Sequence, residues 1–589
     1  MAFNDYHGAM FGRHWKTSAR RHGVANENDV GIPMSDGTRL SGNLWRPDTD
    51  EKVPVVLGVH GYHPEGQTGP ITPSAISSAQ WRHATQERTN ASLESGDPNF
   101  FARRGYAHMV LNVRGTGRSQ GEWQYCGPQE VDDIAEAIQW LAARPWCDGN
   151  VVMFGVSYFA RMQLLVATRQ PPALKALFCP WGNTDLYRDI CYRGGILHYL
   201  WPVGWSQTSL VYGNVRPRNH ARERLGEEGF RRAIAALLDD DDIRSVPQLV
   251  SILKNPDSGA NAFVTDILLH PLHTDYWDDR TVDYAKIRVP AYIGACWGNV
   301  GIHLPAAFRS WERLDVPKKM IVGPPIYLDR PVYQLQHEAV RWFDHWVKGV
   351  DTGIMDEPPV RLFMMNTGEW KESDDWPLPE TKWTPFYLHA DGLLSEHEHW
   401  PFEGNDSFED SPWMRGHVQY ATPPLVENTQ VAGPVALKLY AASTDTDIHW
   451  VVTLLEIDAG GNERFLTRGW LKASHRRLDM DASKPWEPIH THLDPEPLTP
   501  GEIYEFDIKI VPTANEFKAG SRIAVKISCA EDPPADPLQM IACGSLRRAR
   551  ASRIGIFRNE DYPSYLLLPI TKGNLLNTFF SGGRFPERQ

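Results

Sequence analysis

GNVVMFGVSYFARMQLL, residues 149–165, passes from an apolar run through Gly155 and Ser157 into a helical pattern. A serine hydroxyl is a weak nucleophile at neutral pH, and needs a base within hydrogen-bond reach and donors aimed at the developing oxyanion. A strand-to-helix elbow would lift the Ser157 hydroxyl to the strand tip. Gly155 leaves room for the turn, and the Tyr158 N–H stays free at the helix start. Phe159 stands where the G-x-S-x-G pattern has its second glycine, and serine is also a preferred helix cap. The short motif by itself therefore leaves both a nucleophile and an N-cap open.

The flanking sequence decides the architecture. Upstream, NDVGIPMSDGTRLSGNLWRP reads as two strands around a Ser-Asp-Gly turn, and VPVVLGVHG and HMVLNVRGTG read as buried strands. In GPQEVDDIAEAIQWLAARPW, Val131, Ile134, Ile138 and Leu141 recur at helical spacing, with acids in the first turn. Strand LKALFCP follows the Ser157 helix. Strand alternating with helix predicts a parallel sheet with covering helices. The alternation lapses from Gly182 to Asp283, where the segments look helical, and resumes at VPAYIGACW. Such an insertion is expected to cap the carboxyl ends of the strands, where open sheets bind ligands. After GVDTGIMDEPP the chain turns to short strands, VRLFMMNTGEW first, which predict a β-sandwich or jelly roll. The expected division is 1–182 and 285–352 for the sheet domain, 183–284 for the cap and 353–589 for the jelly roll.

Composition narrows the function. A net charge of −13 without a Lys/Arg run argues against nucleic acid as partner. No apolar run reaches the roughly 18 residues of a membrane span, and the N-terminus lacks an apolar leader core, so a cytosolic protein is expected. The seven cysteines include no CxxC pair, which fits reduced thiols and gives no closed zinc site. TGRSQG lacks a Walker lysine. Neither metal nor cofactor is expected. Asp132-Asp133 reads as a helix N-terminus and Asp239 to Asp242 as a solvated loop.

GVHGYHP ends an earlier strand of the same sheet, so His60 and Tyr62 should reach the same rim, with the Tyr62 phenol available as a donor. DGTRLSGNLWRP, Gly61-Tyr62, NVRGTGRSQGEW, GVSYFA, CPWGNTDLYRD, RWFDHWVKGVDTG, PPVRLFMMNTGEW and TRGWLKASHR together resemble the CocE/NonD hydrolase family. That family includes cocaine esterase, α-amino acid ester hydrolases and X-prolyl dipeptidyl-peptidases. The resemblance implies an α/β fold: an α/β-hydrolase domain with an inserted helical cap and a C-terminal β jelly roll. It also implies Ser-His-Asp acyl transfer, with Tyr62 and the Tyr158 N–H as oxyanion donors.

Two positions depart from the family pattern. Its acid commonly sits in W-x-D, where this chain has Trp297-Gly298-Asn299. Its histidine commonly ends G-P-W-x-H, where this chain has Gly323-Pro324-Pro325-Ile326-Tyr327. Asn299 carries no charge to steady an imidazolium, and a tyrosine with a pKa near ~10 is a poor base. His303, four residues after Asn299, is the preferred replacement base and His337, in the last helix of the sheet domain, the next candidate; Asp329 could orient either imidazole, but YLDRP reads rather as an Asp-Arg structural pair. His60, Trp181, Asp185, Tyr187 and Trp297 are candidate substrate contacts. The resulting expectation is a serine hydrolase acting on a small-molecule ester or amide, with jelly-roll and cap surfaces as candidate homodimer faces. Two rivals use the same fold: a C–C cleaving or cyclising biosynthetic enzyme working through pocket tyrosines, and a binding pseudoenzyme.

Overall fold

A computed structural model of the chain describes residues 16–64, 94–324, 332–398, 403–532 and 543–573. The first sheet has ten strands. β1 (Val24–Pro33) and β2 (Arg39–Pro47) form the expected hairpin, followed by β3 (Val53–His60), β4 (Ala107–Asn112), β5 (Cys147–Phe154) and β6 (Leu174–Pro180). After the cap come β7 (Ala291–Cys296), β8 (Lys318–Gly323), β9 (Val360–Phe363) and β10 (Trp370–Ser373). The order is β1-β2-β4-β3-β5-β6-β7-β8-β9-β10, parallel from β4 to β9.

Alternate side chains of these strands serve two cores, because successive residues point to opposite faces. Val55, Leu57 and Val59 pack with the helices Pro128–Ala142, Tyr158–Ala167 and Leu304–Arg313. Val56, Val152 and Phe154 pack with Pro98–Ala102 and Val332–Lys348 on the other side. The chain runs outward from β3 to β4 and then returns to β5 on the opposite flank of β3. That reversal opens a crevice beyond the carboxyl ends of β3 and β5, the place where open α/β sheets hold ligands.

VRLFMMNTGEW belongs to this sheet and not to the sandwich: β9 pairs with β8, and β10 returns antiparallel to β9. A four-residue strand carries no mark of which sheet it will join. Here the Trp297 indole N–H donates to the Phe363 carbonyl (2.6 Å) and holds β9 to the loop beyond β7.

Between β6 and β7 the cap contains the helices His220–Asp239, Pro247–Lys254 and Asn261–Leu268 and a small hairpin, Tyr192–Arg193 with Ile196–Leu197. The hairpin meets the C-terminal domain at Gly194, whose carbonyl accepts from the Lys472 N–H (2.7 Å). A Cβ there would lie 2.0 Å from the Trp470 carbonyl oxygen, and φ is +55°, so only glycine fits. Asp239 to Asp242 is not a solvated loop. Asp240 caps the helix Asp241–Arg244, and Asp242 pairs with Arg548 of the C-terminal domain at 2.6 Å. That domain is a twelve-stranded antiparallel sheet curled into a jelly roll-like form, with Thr429–Ser443 against Tyr504–Phe517 as its long central pairing. Among the described residues, no helix is long and apolar enough to cross a membrane.

Asp133 also departs from its expected role at a helix start. It is buried and takes two hydrogen bonds from Arg114, at 2.7 and 2.6 Å, tying the loop after β4 to the Pro128–Ala142 helix. Asp132 instead pairs with Arg169 at the surface. Arg114 keeps a second partner in the half-exposed Asp36 (2.8 Å), so removing Asp133 costs the two buried charge-assisted hydrogen bonds, about 2–3 kcal/mol, and does not strand a bare charge. Asp133→Ala is expected to lower the first calorimetric unfolding transition, while Asp132→Ala leaves it within about 1 °C.

Candidate active site

Ser157 sits at the predicted elbow. Its backbone is at φ 62°, ψ −119°, outside the ordinary L-residue regions, between β5 and the Tyr158–Ala167 helix. Gly155 makes the turn at φ 139°, and a Cβ on it would lie 2.4 Å from the Phe159 Cβ. Phe159, the residue that breaks the short motif, is fully buried against Gly155 and against Gly58 of β3. The glycine that the motif lacks after the serine is thus compensated by one on the neighbouring strand. Gln163 fastens the elbow from below, donating to the Gly155 and Phe178 carbonyls (both 3.1 Å).

The three strand ends are laced together. The Ser157 N–H donates to the Trp181 carbonyl (3.0 Å), and the Trp181 N–H donates to the Gly294 carbonyl (2.7 Å). Beyond β7, the Asn299 carbonyl accepts from the N–H groups of Ile302, His303 and Leu304, closing a tight turn. Residues four apart in such a turn share a face. Asn299 Nδ2 accordingly lies 2.8 Å from His303 Nδ1, and His303 Nε2 lies 3.2 Å from Ser157 Oγ. Behind Asn299, the Cys296 thiol is 3.0 Å from Oδ1. Asn299, His303 and Cys296 are all fully buried.

Tyr62 follows β3 into the crevice. Its N–H donates to His60 Nδ1 (3.0 Å), and its ring packs edge-on against Tyr158 (6.0 Å) and Trp205 (6.2 Å). The Tyr158 backbone N–H is at the first helical position, where no intrahelical acceptor exists. Its phenol points the other way, donating to Glu130 (2.8 Å) and accepting from the Trp123 indole (3.1 Å). Glu130 also accepts from the N–H groups of Gln124 and Cys126. Burial raises its pKa to about 7, against the lowering effect of these donors.

The chain is similar to known proteins along most of its length. Residues 36–326 fit the family described as X-Pro dipeptidyl-peptidase (S15 family), and residues 352–567 fit the X-Pro dipeptidyl-peptidase C-terminal non-catalytic domain. Cocaine esterase from a Rhodococcus species is 27% identical over 92% of this chain and 98% of that enzyme. The chain is an α/β-hydrolase of the CocE/NonD type. A solved CocE/NonD family hydrolase from Staphylococcus aureus shares the fold with a TM-score of 0.76 at 24% identity, covering 93% of this chain and 94% of that one. An α-amino acid ester hydrolase does so with a TM-score of 0.71 at 18% identity, covering 95% and 98%. The S15-family relatives, esterases and peptidases among them, support hydrolase activity on an ester or amide substrate.

Of the candidate site residues, Ser157, Tyr62, Tyr158, Asn299 and His303 come together. His337 does not: its ring packs edge-on against Phe100 (4.5 Å), in the helical layer on the face of the sheet opposite the Tyr158–Ala167 helix. Tyr327 and Asp329 lie outside the described residues. His60 is a support and not a substrate contact. It is buried beneath Tyr62, stacks on Phe159 (5.1 Å), and burial lowers its pKa to about 3. Trp181 is buried in the sheet core, the Trp297 indole is spent on Phe363, and the Tyr187 hydroxyl donates to the Pro271 carbonyl (2.8 Å). Asp185 is buried; Arg188 and His273 hold its carboxyl well below the usual range, against the opposing effect of burial.

Cys296, Glu130, Trp123 and Trp205 were not singled out from the sequence. Cys296 read as part of a strand, Glu130 as one more first-turn acid, and Trp123 as the end of the Gly-rich loop. Glu130 provides a test. The unfolded chain releases its proton near ~4.3, whereas the folded chain holds it to about 7, so stability falls as pH rises through that interval. Glu130→Gln is expected to flatten this part of the stability–pH curve relative to the parent, as read from thermal melts between pH 4.5 and 7.5.

Proposed function

We propose that Ser157 is the nucleophile of this hydrolase and His303 its base, with the Tyr62 hydroxyl and Tyr158 N–H receiving the oxyanion. The observation that carries the reading is the 3.2 Å contact of His303 Nε2 with Ser157 Oγ, at a strained elbow. The reaction needs Nε2 as acceptor and Nδ1 as the protonated nitrogen. The Asn299 amide permits that when Oδ1 faces His303: it then accepts from Nδ1–H, and its Nδ2 donates to the Cys296 sulfur. The serine proton passes to Nε2 as Oγ attacks the acyl carbon, Nε2–H then protonates the leaving group, and water repeats the cycle on the acyl-enzyme.

Asn299 can set the tautomer but cannot neutralise the imidazolium. His303 also precedes the N-terminus of the Leu304–Arg313 helix, whose positive end disfavours a cation. The oxyanion donors therefore supply a larger share of the stabilisation. Over them the cap helix Leu200–Trp205 lays Trp205, stacked on Trp201 at 4.9 Å, which supports an apolar or aromatic acyl group.

Asn299 also favours a second reading, in which the chain performs C–C cleavage without a serine adduct. Labelling with a fluorophosphonate and mapping the modified peptide separates the two. The expected result is a stable adduct on Ser157 that His303→Ala abolishes; a folded protein that forms none overturns the hydrolytic assignment. Ser157→Ala should lower kcat on acyl substrates by about 10⁴-fold or more, and Tyr62→Phe by about 10²-fold. Asn299→Asp should raise kcat/KM at least roughly tenfold. It should also move the acidic limb of the pH profile upward, because an adjacent carboxylate favours protonated His303.

A further inference from the structure

A cavity of about 340 Å³ lies where the cap, the Leu304–Arg313 helix and the C-terminal domain meet. Ser157, Tyr62 and His303 are not among its walls. Val300 and Pro305 are, so the cavity abuts the outer side of the turn whose inner side presents Asn299 and His303.

Its polar side is rich in donors. Arg188 Nε is buried and meets no hydrogen-bond partner among the described residues. Lys509 lines the cavity, already paired with Glu487 at 2.5 Å, and Arg313, at the surface, adds a further positive charge. The acidic groups in the wall are already engaged: Asp189 takes two hydrogen bonds from Arg309 (both 2.9 Å), Asp185 pairs with Arg188 (2.8 Å), and Asp479 accepts from the N–H groups of Asp481 and Ala482. The remaining wall is apolar, with Trp470, Pro488, Ile489 and Val511. Small-molecule sites have this size and composition, an apolar lining with a few convergent polar groups. An unpartnered buried donor beside fixed positive charge calls for an anionic acceptor.

We infer that this cavity binds a small organic carboxylate with an apolar body, the chemical class that ester or amide hydrolysis releases, and that its occupancy acts on turnover through the Asn299–His303 turn. Binding stands apart from the choice of nucleophile, whereas the effect on turnover rests on the proposed role of His303 as the base. The acid would place its carboxylate at Arg188 and its apolar body against Trp470 and Val511.

The test is calorimetric titration of Ser157→Ala protein with hexanoate and with cyclohexanecarboxylate, using 1-hexanol and inorganic phosphate as controls. Saturable binding of both acids is expected, with neither control binding at the same concentration. Ala482→Trp, which fills the mouth from an exposed turn, and Arg188→Lys, which keeps the charge but removes the Nε–H, should each weaken binding at least tenfold. In the active enzyme the acids should lower kcat and leave KM unchanged. Binding undiminished in Ala482→Trp, or purely competitive inhibition, would place the acid at the catalytic crevice and overturn the inference. Equal binding of phosphate would reduce the cavity to a bare anion site, and no binding at millimolar acid would remove it.

Discussion

The hydrogen bonds that run sideways from the Ser157 N–H to the Trp181 carbonyl, and from the Trp181 N–H to the Gly294 carbonyl, hold the active crevice together. They lock the ends of β5, β6 and β7, and each strand end carries a different part of the apparatus: the elbow, the entry to the cap and the Asn299–His303 turn. Ser157 and Trp181 both have positive φ, at 62° and 56°, a conformation that costs a non-glycine residue about 1–3 kcal/mol. Such strain persists only where the surroundings over-determine it. Here Phe159 wedged against Gly155 and Gly58, and Gln163 donating to two strand carbonyls, supply that determination.

A second layer of constraint is electrostatic. Tyr158 presents its backbone to the crevice while its phenol is anchored to Glu130, a buried acid whose pKa burial raises to about 7. The Trp123 indole, donating to the same phenol, belongs to the aromatic cluster that also holds Trp205 over Tyr62. The first helical residue after the serine is therefore fixed at both ends, and the cap is keyed to it by ring packing. Rigid placement of this kind lets a donor act without reorganisation during the reaction.

How much of this was legible in the sequence follows from the range of each signal. The strands and helices around Ser157 announce themselves by local periodicity, and the elbow and the Tyr62 loop follow from their positions at strand ends. His303 could be found because its partnership with Asn299 is a four-residue spacing. The contacts that were not read are long-range. Trp297 to Phe363 spans 66 residues and Arg548 to Asp242 spans 306, and nothing local marks either pair. The same limit misassigned β9 and β10, whose four-residue strands show alternation but not allegiance. Tyr187 and Trp297 looked like pocket residues because aromatics after strand ends often are, yet a buried hydroxyl or indole N–H takes the nearest carbonyl it can reach.

Exchanging a triad aspartate for Asn299 separates two duties that one carboxylate ordinarily performs. An amide oxygen can still hold the imidazole by Nδ1–H and select the useful tautomer, but it adds no charge to offset the imidazolium. On the proposed mechanism the free energy of that cation rises, and with it the barrier for any step that leaves the proton on His303. Esters and amides feel this differently. An alkoxide leaves with modest help, whereas an amine must be protonated as the C–N bond breaks, after the proton has been stored on the imidazole. On that mechanism a neutral Asn299 beside His303, at the positive end of a helix and under an apolar cap, would tilt the enzyme toward esters or other acyl compounds with good leaving groups.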